Sequence, residues 1–127
     1  MKETIELYGK DYDEKLIQIF ADPKFLLPNL LGATIQVNNG FFEGKILKYE
    51  IHGRVFTSTT TVTYVIFLKK ENGGKIKIII AEGRLTMDIE IIIPFEKLNS
   101  WKIKRKIDEF KKKADELIRL ERIVRKV

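Results

Sequence analysis

Arg54, Phe56, Val62, Tyr64 and Ile66 share one parity in a long β-rich stretch, so a single extended strand would turn them toward the same face of a sheet. Arg54 is a cation, Tyr64 carries a hydroxyl, and the others are apolar. Such a set can line a pocket for an apolar molecule and hold a carboxylate at its rim. Arg54 is the candidate head-group cation, or else an ordinary exposed strand-end residue, or one that pairs with Glu82; Tyr64 can donate deeper inside. On the following strands the matching faces are Ile76, Ile78 and Ile80, then Leu85, Met87, Ile89, Ile91 and Ile93. Ile78, Met87 and Ile89 from these faces, with Ile107 and Phe110 from the C-terminal segment, complete the candidate ligand-binding set. The same residues can equally pack against one another as a core, and the sequence leaves both readings open.

Other chemistry is thinly supplied. His52 is the one histidine, which removes any histidine-rich metal site; it can serve as a base beside Glu50 or be an ordinary solvated turn residue. Serine occurs only at Ser58 and Ser100, without a nucleophile-elbow motif, and cysteine is absent. No pair of carboxylates has a spacing that suggests acid–base work, and Gly73-Gly74 reads as a hairpin turn rather than a phosphate loop. These residues point away from an enzyme, a metal site or a cofactor.

The elements that must position the set follow from periodicity. Lys2–Tyr8 alternates as a short first strand ended by Gly9. Asp11 or Asp13 caps a short helix reaching Ala21, with Leu16, Ile17 and Phe20 on one face. Asp22-Pro23, as cap and first helical residue, starts a second over Lys24–Leu30, limited by Pro28 and closed by Gly32. From Ala33 the period becomes two. Ala33–Val37 and Phe41–Ile51 are strands joined at Asn38-Asn39-Gly40, with Gly53 breaking the second. Arg54–Lys69 contains no glycine, proline or asparagine. As one strand it would stretch about 54 Å, against a radius of gyration near ~14 Å for a domain of this size. It must bend or bulge around Ser58–Thr61, which implies a curved sheet. Asn72–Gly74 forms the next hairpin, followed by Lys75–Glu82 and Arg84–Ile93. Pro94 stops the sheet, and Asn99 or Ser100 caps a helix to the C-terminus, whose buried stripe is Ile103, Ile107, Phe110, Ala114, Leu117 and Val124, with Ile118 beside them.

Length and charge bound the rest. A chain of 127 residues suits one domain with a real core. The N-terminus lacks an apolar signal segment and no apolar run approaches a membrane span, so a cytoplasmic protein is expected. Abundant isoleucine, a third charged residues and no cysteine suggest a thermophile. Residues 1–98 carry 13 basic and 13 acidic residues, whereas residues 99–127 carry 11 and 5, so the net +6 belongs wholly to the C-terminal helix. That helix invites an alternative function, a nucleic-acid or anionic-membrane binding module acting through its basic face. Against it, Asp108–Lys112, Glu109–Lys113, Asp115–Arg119 and Glu121–Arg125 are spaced for ion pairs within the helix, and its polar face lacks aromatics for base stacking. Ile79 and Ile92, outward beside Lys77, Asp88 and Glu90, form a patch expected to be covered in a homodimer.

The opening strand, the paired helices broken at Asp22-Pro23, the hairpins at Asn38–Gly40 and Asn72–Gly74, and the closing helix together resemble the helix-grip superfamily. That superfamily contains START lipid-transfer domains, the birch pollen allergen and related polyketide cyclases. The resemblance spans essentially all 127 residues and lies in the order of elements. The compact length and composition look similar to small helix-grip proteins of thermoacidophilic archaea, which implies a homodimeric, non-enzymatic carrier of a long-chain fatty acid. The implied fold is α+β, about six antiparallel strands curved around a long C-terminal helix, with the ligand held between the two by burial, transient contact with anionic membrane, and no cofactor.

Overall fold

A computed structural model describes residues 1–94 and 96–127. Seven strands form one antiparallel sheet: β1 Lys2–Tyr8, β2 Thr34–Asn38, β3 Phe41–Ile46, β4 Tyr49–Thr57, β5 Thr61–Leu68, β6 Glu71–Ala81 and β7 Arg84–Ile91. Their spatial order is β1-β7-β6-β5-β4-β3-β2, so the meander from β2 to β7 returns the last strand to the first. Between β1 and β2 lie a 3-10 turn at Glu14–Leu16 and two short helices, α1 Ile17–Phe20 and α2 Pro23–Leu31. The chain closes with α3, Glu96–Arg125. The sheet is curved, and the long helix covers it.

The helical insertion obeys its local signals. Asp13 accepts from the Lys15 amide, and Asp22 from the Lys24 amide, both at 2.9 Å. Pro23 stands in the first turn of α2, and Gly32 ends it in the left-handed region at φ 70°. Leu26, Leu27 and Leu30 are wholly buried, so packing holds α2 together despite Pro28 inside it.

The sheet departs from expectation in how strands are divided. The stretch expected as Phe41–Ile51 and Arg54–Lys69 forms three strands, giving seven where about six were expected. One turn falls at Leu47-Lys48, where Leu47 adopts φ 55°. Gly53 lies inside β4 and does not break it; a Cβ there would come within 2.0 Å of the Val65 carbonyl oxygen, so only glycine permits this strand spacing. The second turn, Ser58–Thr60, replaces the expected bend with a full reversal. Ser58 Oγ accepts from the Thr61 amide at 3.1 Å and lies 2.6 Å from Thr61 Oγ1. The next hairpin turns at Lys69-Lys70, not at Asn72–Gly74. Those residues instead form an irregularity opposite Ile66 and Phe67, with Gly74 at φ 133°.

α3 begins at Glu96, ahead of the expected caps Asn99 and Ser100. Asn99 Nδ2 donates to the Pro94 carbonyl at 2.5 Å and to the Tyr49 hydroxyl at 3.3 Å, fastening the first turn of the helix to β4. Ile103, Ile107, Phe110, Ala114 and Ile118 are buried at steps of four and three, and each large member of such a stripe contributes about 1.5–3 kcal/mol. Val124, expected in the stripe, is 74% exposed: at this end the side of the helix turned to the domain carries Arg122 and Arg125, which make polar contacts with the insertion.

Candidate functional site

The interior between sheet and α3 is apolar, mostly aliphatic with a few aromatic rings. β5 supplies Val62, Tyr64 and Ile66, β6 supplies Ile76, Ile78 and Ile80, and β7 supplies Leu85, Met87, Ile89 and Ile91, all buried. Ile107 and Phe110 descend from α3, and Leu16, Ile19 and Phe20 close the side beneath the helical insertion. Register explains the assembly: Val62 opposes Ile78, Tyr64 opposes Ile76, and Ile78 opposes Met87, so the three strands present one continuous apolar face.

Eight of the ten candidate ligand residues therefore converge: Val62, Tyr64, Ile66, Ile78, Met87, Ile89, Ile107 and Phe110. Two do not. Phe56 is 53% exposed, and Arg54 lies on the outer face of the sheet, its guanidinium 4.4 Å from the Phe41 ring and 5.9 Å from the Phe56 ring. The hairpin at Ser58–Thr60 is the cause. Thr57 opposes Val62, so inward positions are odd on β4 and even on β5, and the shared parity of residues 54–66 does not mean a shared face. Arg54 is an exposed strand residue, one of the readings open from the sequence, and its contacts are cation–π ones and not a pair with Glu82. The residues that took its place inside were Ile51 and Gly53.

A hydroxyl stands deep in this interior. The Tyr64 hydroxyl donates to the Phe20 carbonyl at 2.6 Å, tying β5 to the end of α1. Burial, reinforced by the charge of Asp22, pushes its ionisation well above the ordinary tyrosine value. Tyr64 points inward as its parity predicts, and the partner of its hydroxyl, the Phe20 carbonyl, has no signal in the sequence.

The rim of the helical insertion carries a set of polar contacts of which only Glu121–Arg125 was expected. Arg125 bridges Asp22 at 2.6 Å and Glu121 at 2.9 Å. Tyr12 donates to Asp115, and Arg122 to the Asp11 carbonyl at 2.8 Å. Beside the Asp22–Arg125 bridge opens a cleft of about 390 Å³, lined by Ala21, Pro23, Val37, Val55 and Thr57. A larger cleft, about 610 Å³, lies across β2, β3 and β4 among Gln36, Glu43, Lys45, Glu50 and His52. His52 stacks on Phe67 with ring centroids 5.5 Å apart, and its Nε2–H donates to the Lys69 carbonyl at 2.6 Å.

Along α3, only Glu121–Arg125 forms among the four expected ion pairs. Arg119 turns to Glu116, Glu109 takes Arg105 and Lys106, and Asp115 is held by Tyr12. Ile79 and Ile92 are both exposed. They do not form one patch, because Ile79 opposes Thr86 whereas Ile92 lies past Ile91; the six residue steps from Thr86 to Ile92 span roughly 20 Å.

A curved antiparallel sheet with a long C-terminal helix across it, and two short helices after the first strand, defines a helix-grip α+β protein with an apolar interior. A protein-family model, whose description reads only "-like", matches residues 1–127, and the chain belongs to that family along its whole length. A crystal structure of a hypothetical protein from Sulfolobus tokodaii is 26% identical, with a TM-score of 0.79 over 98% of this chain and 99% of that one. The solution structure of the Aha1 dimer from Colwellia psychrerythraea shares the fold at 11% identity, TM-score 0.56, covering 92% and 96%. A crystal structure from Chromobacterium violaceum does so at 16% identity, TM-score 0.51, covering 84% and 94%. No curated protein is significantly similar to the chain. Among the described residues no helix is long and apolar enough to cross a membrane, and no cluster of side chains could hold a metal ion.

Proposed function

We infer that the protein is a non-enzymatic carrier that takes up an apolar small molecule between the sheet and α3, and that this molecule is a long-chain fatty acid. The observation that carries the reading is the continuous aliphatic surface of Val62, Ile66, Ile78, Met87 and Ile89 facing Ile107 and Phe110, with Tyr64 as its one hydroxyl. Transfer from water releases about 0.8 kcal/mol per CH₂, so an alkyl chain is retained by burial whatever its head group contacts. These side chains are packed together, so entry requires them to part. The helical insertion is the wall that can move. It is held at its edge by Arg125, Arg122 and Tyr12, and the cleft at Ala21, Pro23 and Val55 marks where a chain would enter. Arg54, on the outer face, plays no part in holding the ligand.

Two copies associate in this reading. The exposed Phe41 and Phe56, flanking Arg54 on the outer face of β3 and β4, are the surface we assign to that contact. It replaces the divided Ile79 and Ile92. A strict monomer in size-exclusion chromatography with light scattering would remove this part of the reading and leave the carrier untouched.

Native mass spectrometry of freshly purified protein tests the carrier directly, with a co-purified lipid expected at one per chain. Delipidated protein is then titrated with saturated fatty acids of roughly C12–C18, a length range whose burial dominates binding. Saturable binding supports the proposal; its absence across the series sinks it.

A further inference from the structure

Two hairpin turns and the start of α3 meet at one end of the molecule. The β3–β4 turn brings Leu47 and Lys48, the β5–β6 turn brings Lys69 and Lys70, and the chain leaving β7 passes through Ile92. The first turns of α3 add Lys97, Leu98, Trp101 and Lys102. Hydrogen bonds hold this end together: Asn99 Nδ2 reaches the Tyr49 hydroxyl at 3.3 Å, and the Ile92 amide donates to the Gly73 carbonyl at 3.0 Å.

The exposure here is unusual for a folded surface. Trp101 is 60% exposed and Leu98 62%, three residues apart on one face of the helix, and Leu47 and Ile92 are exposed as well. Around them stand Lys48, Lys69, Lys70, Lys97 and Lys102, none with a carboxylate partner among the described residues. Other surface cations are also without a carboxylate partner among the described residues, Lys111 and Lys112 among them; what sets this end apart is that its lysines surround exposed apolar side chains that include the tryptophan. Apolar side chains including a tryptophan, set among unpaired lysines, match the boundary layer of an anionic bilayer. There an indole sits at head-group level while lysines meet phosphates.

We propose that this end of the molecule docks on a membrane surface rich in anionic lipid, with Leu98 and Trp101 entering the head-group boundary and the five lysines facing the phosphates. A second copy of the chain is the poorer occupant, since a two-fold contact would bring the same unpaired lysines together. Nucleic acid is poorer too, because Leu47, Ile92 and Leu98 offer bases no stacking surface and Trp101 is the one ring exposed among them. The surface lies outside the carrier interior, so it stands whether or not a fatty acid binds there.

Trp101 is the only tryptophan in the chain, so intrinsic fluorescence reports on this site alone. The intact protein is titrated with phosphatidylcholine vesicles and with vesicles in which part of that lipid is replaced by phosphatidylglycerol. The expected result is a blue shift and co-sedimentation with the anionic vesicles only, both weakening as salt rises. The double variant Lys97→Gln/Lys102→Gln should partition less by roughly fivefold for each cation removed. Leu98→Ser should weaken partitioning while circular dichroism stays unchanged. The proposal is overturned by no shift with anionic vesicles, or by an equal shift with neutral ones. It is also overturned by undiminished partitioning of the double variant, by a concentration-dependent shift without vesicles, or by a larger shift with an oligonucleotide.

Discussion

Arg125, in the last turn of α3, sets Nη2 2.6 Å from Oδ2 of Asp22, whose other oxygen accepts the Lys24 amide at 2.9 Å. One carboxylate thus starts α2 and anchors the far end of α3, residues separated by 103 positions in the chain. Glu121 takes the same guanidinium nitrogen at 2.9 Å. The insertion is therefore closed against α3 by polar contacts at its rim, which can release before the core unpacks.

Arg125→Gln removes the charge and the reach of the bridge but keeps a polar side chain with the same first three carbons. Both partners are partly shielded from solvent, and after discounting for screening the expected loss is about 1 kcal/mol in urea denaturation. Hydrogen exchange should quicken in residues 17–31 and not in β5 or β6. Uniform exchange across the domain would show that the insertion does not open as a unit.

Two tyrosines give the fold an alkaline limit. Tyr12 is pushed above the ordinary tyrosine value by burial and by its bond to Asp115, and Tyr64 by burial and the Asp22 charge. Both are neutral when protonated, so the unfolded chain loses these protons first as pH rises. Stability is fully present below about pH 10 and then falls, by up to about 1.4 kcal/mol per pH unit for the deeply buried Tyr64 and by less for Tyr12, whose surroundings are partly screened by solvent. Tyr12→Phe should flatten part of that decline in denaturation curves between about pH 10 and 11. An unchanged slope would show that Tyr12 is not shielded.

Gly53→Ala should destabilise although it lies in a strand, where alanine ordinarily gains over glycine. The added Cβ would come within 2.0 Å of the Val65 carbonyl and 2.5 Å of the Phe42 ring. Overpacking of this kind costs about 1–3 kcal/mol. A thermal midpoint equal to that of the parent would mean that β4 and β5 separate more readily than their register suggests.

Met87→Ala distinguishes filling the interior from lining it. Met87 is wholly buried opposite Ile78, and truncation should cost about 2–5 kcal/mol in the ligand-free protein. If a fatty acid occupies the interior, the vacated volume accepts more of the chain and affinity rises, whereas Arg54→Gln changes nothing. Fluorescence displacement or calorimetry reads both. Binding that responds to Arg54→Gln and ignores Met87→Ala would place the ligand on the outer face.

Much of this architecture is written in local signals. Asp22-Pro23 and Gly32 bound α2 because a cap, a fixed φ and a left-handed stop act within a few residues. The inward sets of β6 and β7 were legible for the same reason: alternation over a single strand needs no knowledge of its neighbours. The buried stripe of α3 from Ile103 to Ile118 follows from helical period alone. Its last member failed at Val124, where the inward side of the helix is taken by Arg122 and Arg125 in polar contact with the insertion.

The turns were harder. Ser58–Thr60 contains neither glycine nor proline, and its reversal rests on Ser58 Oγ bonding to Thr61, a signal carried weakly by the run Ser-Thr-Thr-Thr. Glycines that look like punctuation, Gly53 and Gly73-Gly74, lie inside strands because neighbouring backbones approach too closely for a Cβ. Sequence by itself determined the class of fold, the long covering helix and eight of the ten residues expected in the interior. Tertiary structure decided which face Arg54 and Phe56 take and which residues close the insertion. A side chain's direction depends on every turn between it and the core, and Asp22 meets Arg125 only after the sheet has brought α3 across it.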